Sequence, residues 1–481
     1  MNIFASSVSI LMFLNIVLAF AVIFLERKNP ASAWAWIMVL LFVPGVGFIL
    51  YLLFSQNIAK KKIFRFNKFE KENLKNLINS EIELLRNNNI EFKDNLMYEY
   101  KDMIYMNLVD NYSLFTQNNN IEVYTDGKVK FDNLLKAINE AKEHIHIQYY
   151  IIKNDGLSKK ILYALIKRAK EGVEVRLLYD AMGSRLISRK LLKKLDEAGG
   201  KTVAFFPSKI PYVNLRVNYR NHRKIVIIDG KYGFVGGFNI GDEYLGLNKR
   251  LGYWRDTHLK IIGEAVYSLQ SRFLEDWRYA SKEKFDNLSK YFKNADHKGD
   301  AGIQIVSSGP DSEQEQIKYA YLKMIYSAKK SLYIQTPYFI PDGSFLEALR
   351  IASLSGVDVR IMIPDKPDHM FVYWATYSYI GELLKAGVKA YVYNKGFLHA
   401  KTFVVDGKIC SVGTANVDIR SFKLNFEVNA LIYDREVSEN LISVFKDDIK
   451  NSSEITKELY KNRSKIIKIK EAISRLLSPI L

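Results

Sequence analysis

The sequence predicts an α/β protein with two tandem lobes related by pseudo-two-fold symmetry, preceded by two N-terminal transmembrane helices. From Ile121 onward, short apolar runs typical of strands alternate with helical stretches, which indicates an α/β fold. Several segments of this part occur twice in the same order, which indicates a duplicated unit. Two long uncharged runs lie near the N-terminus, each about as long as a helix that crosses a bilayer.

The uncharged runs are Ile3–Leu25 and Trp34–Phe54. A cleaved signal peptide is the alternative for the first run. It fits poorly, because no basic segment precedes the run, the apolar stretch is too long, and a second run follows at once. Pro44, Gly45 and Gly47 interrupt the second run, so a kinked or re-entrant segment is an alternative to a straight span.

Flanking charge predicts the orientation of these spans. The only cations in the loop between them are Arg27 and Lys28, whereas a cluster of cations follows the second span: Lys60, Lys61, Lys62, Arg65 and Lys68. The positive-inside rule therefore places the large C-terminal part, and the N-terminus, in the cytoplasm. We expect a multi-pass protein of the cell membrane.

Composition restricts the partners and excludes disulfide chemistry. The 481 residues carry a formal net charge of +18, which favours an anionic partner such as a phospholipid surface, a nucleic acid or a phosphorylated substrate. Cys410 is the only cysteine, so the chain forms no internal disulfide and has no cysteine-based metal site. We expect Cys410 to be a small packed core residue.

The chain divides into five predicted segments. Residues 1–58 hold the two spans, and residues 59–120 are an Asn-rich connector with helical periodicity. Residues 121–290 form the first lobe and residues 301–455 the second, with a charged boundary between them. Residues 456–481 form a basic amphipathic tail that either lies on an anionic leaflet or packs on the domain as an ordinary helix.

The repeat is visible in three pairs of segments. They pair His146–Ile152 with Tyr333–Ile340, Gly172–Leu177 with Gly356–Ile361, and His222–Lys224 with His399–Lys401. Each copy spans about one domain's length, which is far longer than a solenoid repeat. The pattern therefore indicates a duplicated domain.

The third pair carries the chemistry. His222, Lys224, Asp229 and Asn239 recur with identical spacing as His399, Lys401, Asp406 and Asn416. In both copies an Asp-Gly pair separates two apolar runs, which predicts a β-hairpin. A histidine and a lysine two residues apart on a strand point to the same face, so each copy offers one imidazole beside one ammonium.

This grouping suits phosphodiester transfer. A neutral imidazole attacks phosphorus to form a covalent intermediate, and a second imidazole protonates the leaving oxygen. The lysines Lys224 and Lys401, with Asn239 and Asn416, stabilise the charge on the non-bridging oxygens. Each copy has one such histidine, so the mechanism requires the two copies to face each other.

A catalytic histidine usually needs a carboxylate that orients it. Asp256 follows the first motif and Glu427 follows the second, and we predict that they have this role. Asp229 and Asp406 lie in the predicted turns and point away from the histidines, which indicates a structural role. No metal or cofactor is expected, because lysine is a poor ligand. The remaining histidines are expected to be structural or exposed: His144, His146, His258, His297 and His369.

The paired His-x-Lys-x4-Asp pattern resembles the double HKD motif of the phospholipase D superfamily, and the chain as a whole resembles bacterial cardiolipin synthases. Further segments that carry the resemblance are Gly236–Tyr244, Tyr253–His258, Ser308–Asp311, Thr336–Pro341, Asn416–Ser421, Asn425–Glu427 and Ser478–Leu481. The resemblance implies phospholipase D-like α/β sandwich lobes. It also places the motif residues Asp229 and Asp406 with the catalytic set, and it favours His222 as nucleophile and His399 as acid and then base.

The activity implied by this resemblance is the conversion of two phosphatidylglycerol molecules to cardiolipin and glycerol, without a cofactor. Two alternatives remain. One is a phospholipase D-type hydrolase, in which water replaces the second alcohol. The other is a membrane-tethered nuclease, which the net charge of +18 would suit but which has no need of membrane spans.

Overall fold

The computed structural model describes residues 2–25, 30–43, 45–54, 68–207, 218–285, 287–293, 299–366, 368–476 and 478. Positions 2–11, 31, 32, 49, 52–54, 68–75 and 77 are described by their backbone alone. Several residues used in the predictions above lie outside the described parts: Arg27, Lys28, Pro44, Lys60, Lys61, Lys62, Arg65, His297 and the last three residues.

The N-terminal region contains three helices: α1 (Asn2–Leu25), α2 (Pro30–Phe42) and α3 (Val46–Phe54). The second uncharged run is therefore divided between two short helices. These fold back on each other, because the ring centroids of Trp36 and Tyr51 are 5.3 Å apart. Asn15 Nδ2 donates to the carbonyl of Leu40 at 2.7 Å and ties α1 to α2. In the described parts of the chain, no helix combines the length and apolarity needed to span a membrane.

The predicted connector contains α4 (Lys68–Arg86), α5 (Asn95–Glu99) and α6 (Lys101–Asn111). Their buried side chains, among them Leu85, Met103 and Leu108, join one apolar cluster with Ile317 and Met324 of the second lobe. Burial of this apolar surface stabilises the contact. The region is thus part of the core of the second lobe and is more than a spacer.

The first lobe follows in chain order. A short strand, β1 (Phe115–Thr116), comes first and joins the sheet of the second lobe. The elements of the first lobe are β2 (Asn119–Asp126), α7 (Gly127–Glu140), β3 (His144–Tyr149), α8 (Gly156–Lys170), β4 (Glu174–Asp180), α9 (Arg189–Glu197), β5 (Lys201–Phe205), β6 (Arg220–Asn221), β7 (Ile225–Ile228), β8 (Tyr232–Gly236), β9 (Tyr253–Gly263) and α10 (Ala265–Ser281).

The second lobe and the tail complete the chain. Their elements are β10 (Gly302–Ser308), α11 (Gln316–Ser327), β11 (Ser331–Gln335), β12 (Phe339–Ile340), α12 (Gly343–Leu354), β13 (Asp358–Pro364), α13 (Met370–Lys385), β14 (Lys389–Tyr393), β15 (Gly396–Leu398), β16 (Thr402–Val405), β17 (Ile409–Gly413), β18 (Val417–Asp418), α14 (Ile419–Lys423), β19 (Asn425–Tyr433), α15 (Arg435–Ile449), β20 (Ser452–Glu454), α16 (Lys457–Lys461) and α17 (Lys465–Leu476).

The two main sheets share one strand order, which agrees with the duplication. The first sheet contains β9-β8-β7-β3-β4-β5, and the second contains β19-β17-β16-β11-β13-β14. In each, the last three strands are parallel and the others antiparallel. The parallel strands are connected through helices, as parallel strands require. The prediction of a mixed α/β fold with two lobes is confirmed.

Each lobe also lends a short strand to the sheet of the other. Strand β6 of the first lobe pairs with β19, with Arg220 opposite Asn425. Strand β15 of the second lobe pairs with β9, with Phe397 opposite Trp254. Each lent strand ends directly before a motif histidine, so the exchange carries both histidines to the boundary between the lobes.

The tail packs against the second lobe through its polar face. Helix α17 lies along α13, where Arg475 forms an ion pair with Glu382 and the buried Glu471 pairs with Arg463. Its apolar residues point outward, because Ile466 and Ile469 are 66% and 58% exposed. The structure therefore shows a helix that packs on the domain and still presents an apolar stripe to its surroundings.

Candidate functional site

The backbone holds each motif histidine against the opposite lobe. The N–H of His222 donates to the carbonyl of Phe426 at 2.9 Å, and the N–H of His399 donates to the carbonyl of Arg255 at 2.7 Å. Phe426 and Arg255 directly precede Glu427 and Asp256 in the chain. Each histidine therefore lies beside the carboxylate that the sequence selected, but that carboxylate belongs to the other lobe.

The side chains complete this crossed arrangement. Nδ1 of His222 is 2.9 Å from Oε2 of Glu427, and Nδ1 of His399 is 2.7 Å from Oδ2 of Asp256. Both carboxylates are fully buried. A carboxylate accepts a hydrogen bond from a protonated Nδ1, which leaves Nε2 as the lone-pair nitrogen. The Nε2 atoms have no hydrogen-bond partner among the described residues, so they are available to a phosphorus atom.

Burial controls the protonation of these groups. It lowers the pKa of His222 to about 4, with Lys224 adding to the effect and Glu427 opposing it. The pKa of His399 is likewise lowered to about 4, by burial and by Lys401. Without substrate both rings are thus neutral near pH 7, as the attacking histidine requires. The anionic phosphate of a bound lipid favours the protonated form of the other ring, which then has a proton to give to the leaving oxygen. Burial alone would raise the pKa of Glu427, but His222 and Lys224 hold it below its ordinary value.

Each motif lysine is hydrogen-bonded to the backbone of the histidine in the same motif. Lys224 Nζ donates to the carbonyl of His222 at 2.7 Å, and Lys401 Nζ donates to the carbonyl of His399. Burial lowers the pKa of Lys224 to about 7 and that of Lys401 to about 8. Each ammonium feels the other lobe's carboxylate and lysine, so the four groups occupy one electrostatic site. A phosphate anion there favours the protonated lysines.

The two asparagines are buried beside this site but differ in their contacts. Asn239 Oδ1 accepts the backbone N–H of Ile151 at 3.1 Å, and the Asn239 side chain also hydrogen-bonds Tyr244. Asn416 Oδ1 is buried and has no partner in the described structure. The predicted role of both residues in holding phosphate oxygens stays a prediction.

Asp229 and Asp406 lie at the far ends of the β-hairpins that the histidines begin. Asp229 accepts the backbone N–H groups of Lys142, Glu143 and His144 at 2.8–2.9 Å. Asp406 binds three successive N–H groups of the second lobe in the same way. Both have φ near +55°, the left-handed turn conformation expected of an Asp-Gly hairpin. The placement fits the structural role predicted from the turns and keeps both carboxylates out of the site, against their grouping with the catalytic set.

Two buried arginines support the site and were not predicted. Arg223 pairs with Asp276 at 2.5 Å and donates through Nε to the carbonyl of Glu427 at 3.1 Å. Arg255 pairs with Asp448 at 2.9 Å and donates to the carbonyl of Asp256. Each arginine therefore fixes the backbone of an orienting carboxylate. Their removal would leave a buried carboxylate unpaired, which is strongly destabilising.

One feature of the repeated segments could have indicated these buried networks. Gln148 and Gln335 occupy equivalent places in the duplicated segments, and each donates to the supporting aspartate at 2.7 Å, to Asp276 and Asp448 respectively. A buried glutamine shared by both copies marks a common polar network. Of the other histidines, His144, His146 and His258 are buried outside the site and His369 is exposed. No group of three metal-ligating side chains is found in the described parts.

Comparison with known proteins identifies the family. Residues 134–277 and 321–449 match the family described as "Cardiolipin synthase, PLD-like domain", and residues 13–56 match "Phospholipase_D-nuclease N-terminal". The matched regions cover more than half of the chain. The protein therefore belongs to the phospholipase D-like cardiolipin synthase family, and the recognition made from the double motif is confirmed.

Individual relatives agree with this assignment. The chain is 55% identical to the major cardiolipin synthase of Bacillus subtilis (strain 168), over 100% of both chains. It is 54% identical to a cardiolipin synthase of Oceanobacillus iheyensis, over 97% of both. Among solved structures, phosphatidylserine synthase of Haemophilus influenzae matches with a TM-score of 0.60 at 15% identity, covering 80% of this chain and 97% of that one. That likeness concerns the fold alone.

Proposed function

We propose that this protein is a cardiolipin synthase, a phosphatidyltransferase that converts two phosphatidylglycerol molecules to cardiolipin and glycerol. The observation that carries the proposal is the crossed pairing at the lobe boundary, in which each histidine is oriented by a carboxylate of the other lobe. Two equivalent imidazoles suit a reaction in which the same phosphorus is attacked twice. The full-length similarity to proteins named cardiolipin synthase supports the choice of lipid.

In the first step, Nε2 of one histidine attacks the phosphorus of the donor lipid. The bond between phosphorus and the glycerol oxygen breaks, and the second histidine gives its proton to that oxygen as glycerol leaves. Following the family resemblance, we assign the attack to His222 and the proton transfer to His399. The buried lysines hold the charge on the non-bridging oxygens throughout.

In the second step, the head-group hydroxyl of another phosphatidylglycerol replaces the glycerol. His399, now neutral, takes the hydroxyl proton, the oxygen attacks phosphorus, and the phosphorus–nitrogen bond breaks to release cardiolipin. Both histidines return to their starting protonation states, so the cycle needs no cofactor. Water entering at this point would give phosphatidic acid, which is the hydrolase alternative.

We further propose that the protein works at the cell membrane, with the two lobes on the cytoplasmic side. The uncharged segment of α1 and the cation-rich sequence after α3 support this location. A second membrane contact is supported by α17, where Ile466, Ile469 and Ile473 form an exposed stripe flanked by lysines. A lipid substrate then reaches the site without leaving the bilayer.

The test is to supply the purified full-length protein with phosphatidylglycerol vesicles and resolve the products. Cardiolipin with an equal amount of glycerol supports the proposal. Phosphatidic acid as the sole lipid product would indicate a hydrolase, and cleavage of DNA without lipid turnover would indicate a nuclease.

Single variants connect the activity to the site. His222→Ala and His399→Ala should each abolish turnover, because neither histidine can supply both functions. His297→Ala, which changes a histidine outside both motifs, is the matched control and should retain activity. Near-normal turnover by either motif variant would refute the two-histidine mechanism.

A further inference from the structure

The two halves of the site are alike in their motif residues but differ in what surrounds them. The position two residues before the histidine is Arg220 in the first motif and Phe397 in the second. The position four residues after the asparagine is Glu243 in the first motif and Arg420 in the second. Equivalent positions around His222 and His399 therefore carry side chains of different chemistry.

The surroundings of His399 are aromatic. Its ring centroid is 5.0 Å from that of Trp254 and 6.0 Å from that of Phe397. Tyr244 packs on Trp254 in turn, with ring centroids 4.7 Å apart. Glu243 points to an ion pair with Lys153. The groups packed on the ring of His399 are thus aromatic, and this half of the site suits an apolar or uncharged part of a substrate.

The surroundings of His222 are polar and cationic. Arg420 donates to Oδ1 and to the carbonyl of Asn218 at 3.0 and 2.9 Å, and Arg220 hydrogen-bonds Tyr150. The ring of Tyr150 packs edge-on against His222, with centroids 4.9 Å apart. Both arginines act electrostatically on Tyr150, whose ring packs on His222. Because β6 belongs to the first lobe and α14 to the second, each lobe contributes one of them.

The charge of these arginines is not cancelled by a direct ion pair. Among the described residues neither guanidinium is bridged to a carboxylate, and burial together with Arg220 lowers the pKa of Arg420. The nearby carboxylates bind backbone instead: Asp180 accepts the N–H of Asn221 at 2.9 Å, and Asp418 accepts an N–H at the start of α14. Two close guanidiniums without a bridging carboxylate favour an anion between them.

We propose that Arg220 and Arg420 form a second anion site, which binds the phosphate that the acceptor phospholipid keeps during transfer. The inference rests on the proposed function, because only a transfer between two phospholipids requires a second phosphate to be held. Lys224 and Lys401 stabilise the charge on the reacting phosphate of the donor lipid. The arginine pair is therefore available to bind the phosphate of the acceptor lipid. The glycerol bridge between the two phosphates of the product is flexible, and the proposal holds whichever histidine attacks.

This site explains how the protein selects a lipid acceptor over a small alcohol. Water, glycerol and ethanol present a hydroxyl group but no phosphate, so they gain nothing from the two guanidiniums. Phosphatidylglycerol presents both, and the planar guanidinium forms paired hydrogen bonds to phosphate oxygens. Charge recognition by the pair thus favours cardiolipin over hydrolysis or exchange.

The test uses competition between two acceptors. The full-length protein receives vesicles of phosphatidylglycerol diluted in phosphatidylcholine, with ethanol in the buffer, and the ratio of cardiolipin to phosphatidylethanol is measured. We expect Arg420→Gln and Arg220→Gln each to lower this ratio about tenfold, the amount that loss of one charged hydrogen-bonding partner produces. Arg420→Lys should lie between the wild type and Arg420→Gln, because lysine keeps the charge but loses the paired geometry.

Arg435→Gln is the matched control, since it removes an exposed arginine at the start of α15, and it should leave the ratio unchanged. Because the two arginines belong to different lobes, Arg220→Gln keeps the test decisive if Arg420→Gln fails to fold. If the folded arginine variants keep the wild-type ratio of cardiolipin to phosphatidylethanol, the second anion site is overturned. This holds also where both products fall by the same factor. A wild-type protein that forms phosphatidylethanol but no cardiolipin would instead overturn the proposed function.

Discussion

Nδ1 of His222, in the first lobe, lies 2.9 Å from a carboxylate oxygen of Glu427, in the second lobe. The same relation joins His399 to Asp256 in the reverse direction, at 2.7 Å. The orientation of each imidazole therefore depends on the other lobe. Neither half of the chain contains a complete pair, although each contains a complete sequence motif.

The first prediction concerns these carboxylates. Glu427→Gln and Asp256→Asn preserve size but remove the charge that fixes the histidine tautomer. We expect each to lower kcat by about 10²- to 10⁴-fold, as in other sites where a carboxylate orients a catalytic histidine. Steady-state assays of cardiolipin formation provide the measurement. A kcat close to that of the wild type in either variant would argue against the pairing.

The second prediction concerns pH. The pKa of each histidine is lowered to about 4, so a fall of pH through that value protonates the nucleophile and reduces kcat/KM. The pKa of Lys224 is lowered to about 7 and that of Lys401 to about 8, so a rise of pH through this range removes positive charge and also reduces kcat/KM. We expect a bell-shaped profile, whose limbs report the free protein.

The alkaline limb can be assigned with one variant. Lys224→Arg should extend activity to higher pH, at some loss of maximal rate, because arginine stays protonated throughout the accessible range. A profile that stays flat well above the lysine pKa values would show that the lysine charge is not required.

The third prediction separates Asp229 from the catalytic residues. Asp229→Asn weakens the hydrogen bonds to three backbone N–H groups at the far end of the hairpin. We expect the free energy of unfolding to fall by about 1–3 kcal/mol, while kcat of the folded protein stays close to that of the wild type. Thermal inactivation and initial rates measure the two effects. Asp256→Asn makes the same chemical change in the site, and there we expect a large loss of kcat with a smaller effect on stability. A large loss of kcat in Asp229→Asn would instead indicate that Asp229 takes part in the reaction.

The fourth prediction concerns α17. Cys410 is fully buried, so an introduced cysteine can be labelled selectively with a polarity-sensitive fluorophore. Ile469→Cys places the label in the exposed stripe, and we expect spin-labelled lipids in anionic nanodiscs to quench it. Leu354→Cys, at an apolar site that is 69% exposed on α12, is the matched control and should stay unquenched. Equal quenching at both positions, or none at residue 469, would contradict membrane contact by this helix.

The sequence predicted the composition of the candidate site more fully than the way in which the two lobes assemble it. The spacing from His222 to Asn239, repeated from His399, was sufficient to select residues that the structure places at the boundary between the lobes, because a strand with period two fixes which side chains share a face. The carboxylates Asp256 and Glu427 were also found, since each follows a motif. Their exchange between lobes was not, because pairing across a duplicated fold leaves no mark on local sequence.

Other features were hidden for related reasons. Arg223 is the variable residue inside the first motif, and its importance comes from Asp276, which is distant in the chain. The run Trp34–Phe54 has the composition of one span, and only the contact of Trp36 with Tyr51 shows that it turns back. The helices of the connector carry their apolar residues at ordinary spacing, so the sequence indicated helices but not the surface on which they pack.

The two exchanged strands, β6 and β15, affect the stage of synthesis at which the protein can become active. While the ribosome is still making the second half, the first sheet lacks its partner strand β15 and His222 lacks Glu427. A nascent or truncated chain therefore has no working centre, and activity begins only after nearly the whole polypeptide has emerged. Incomplete products are thereby kept from reacting with the lipids around them.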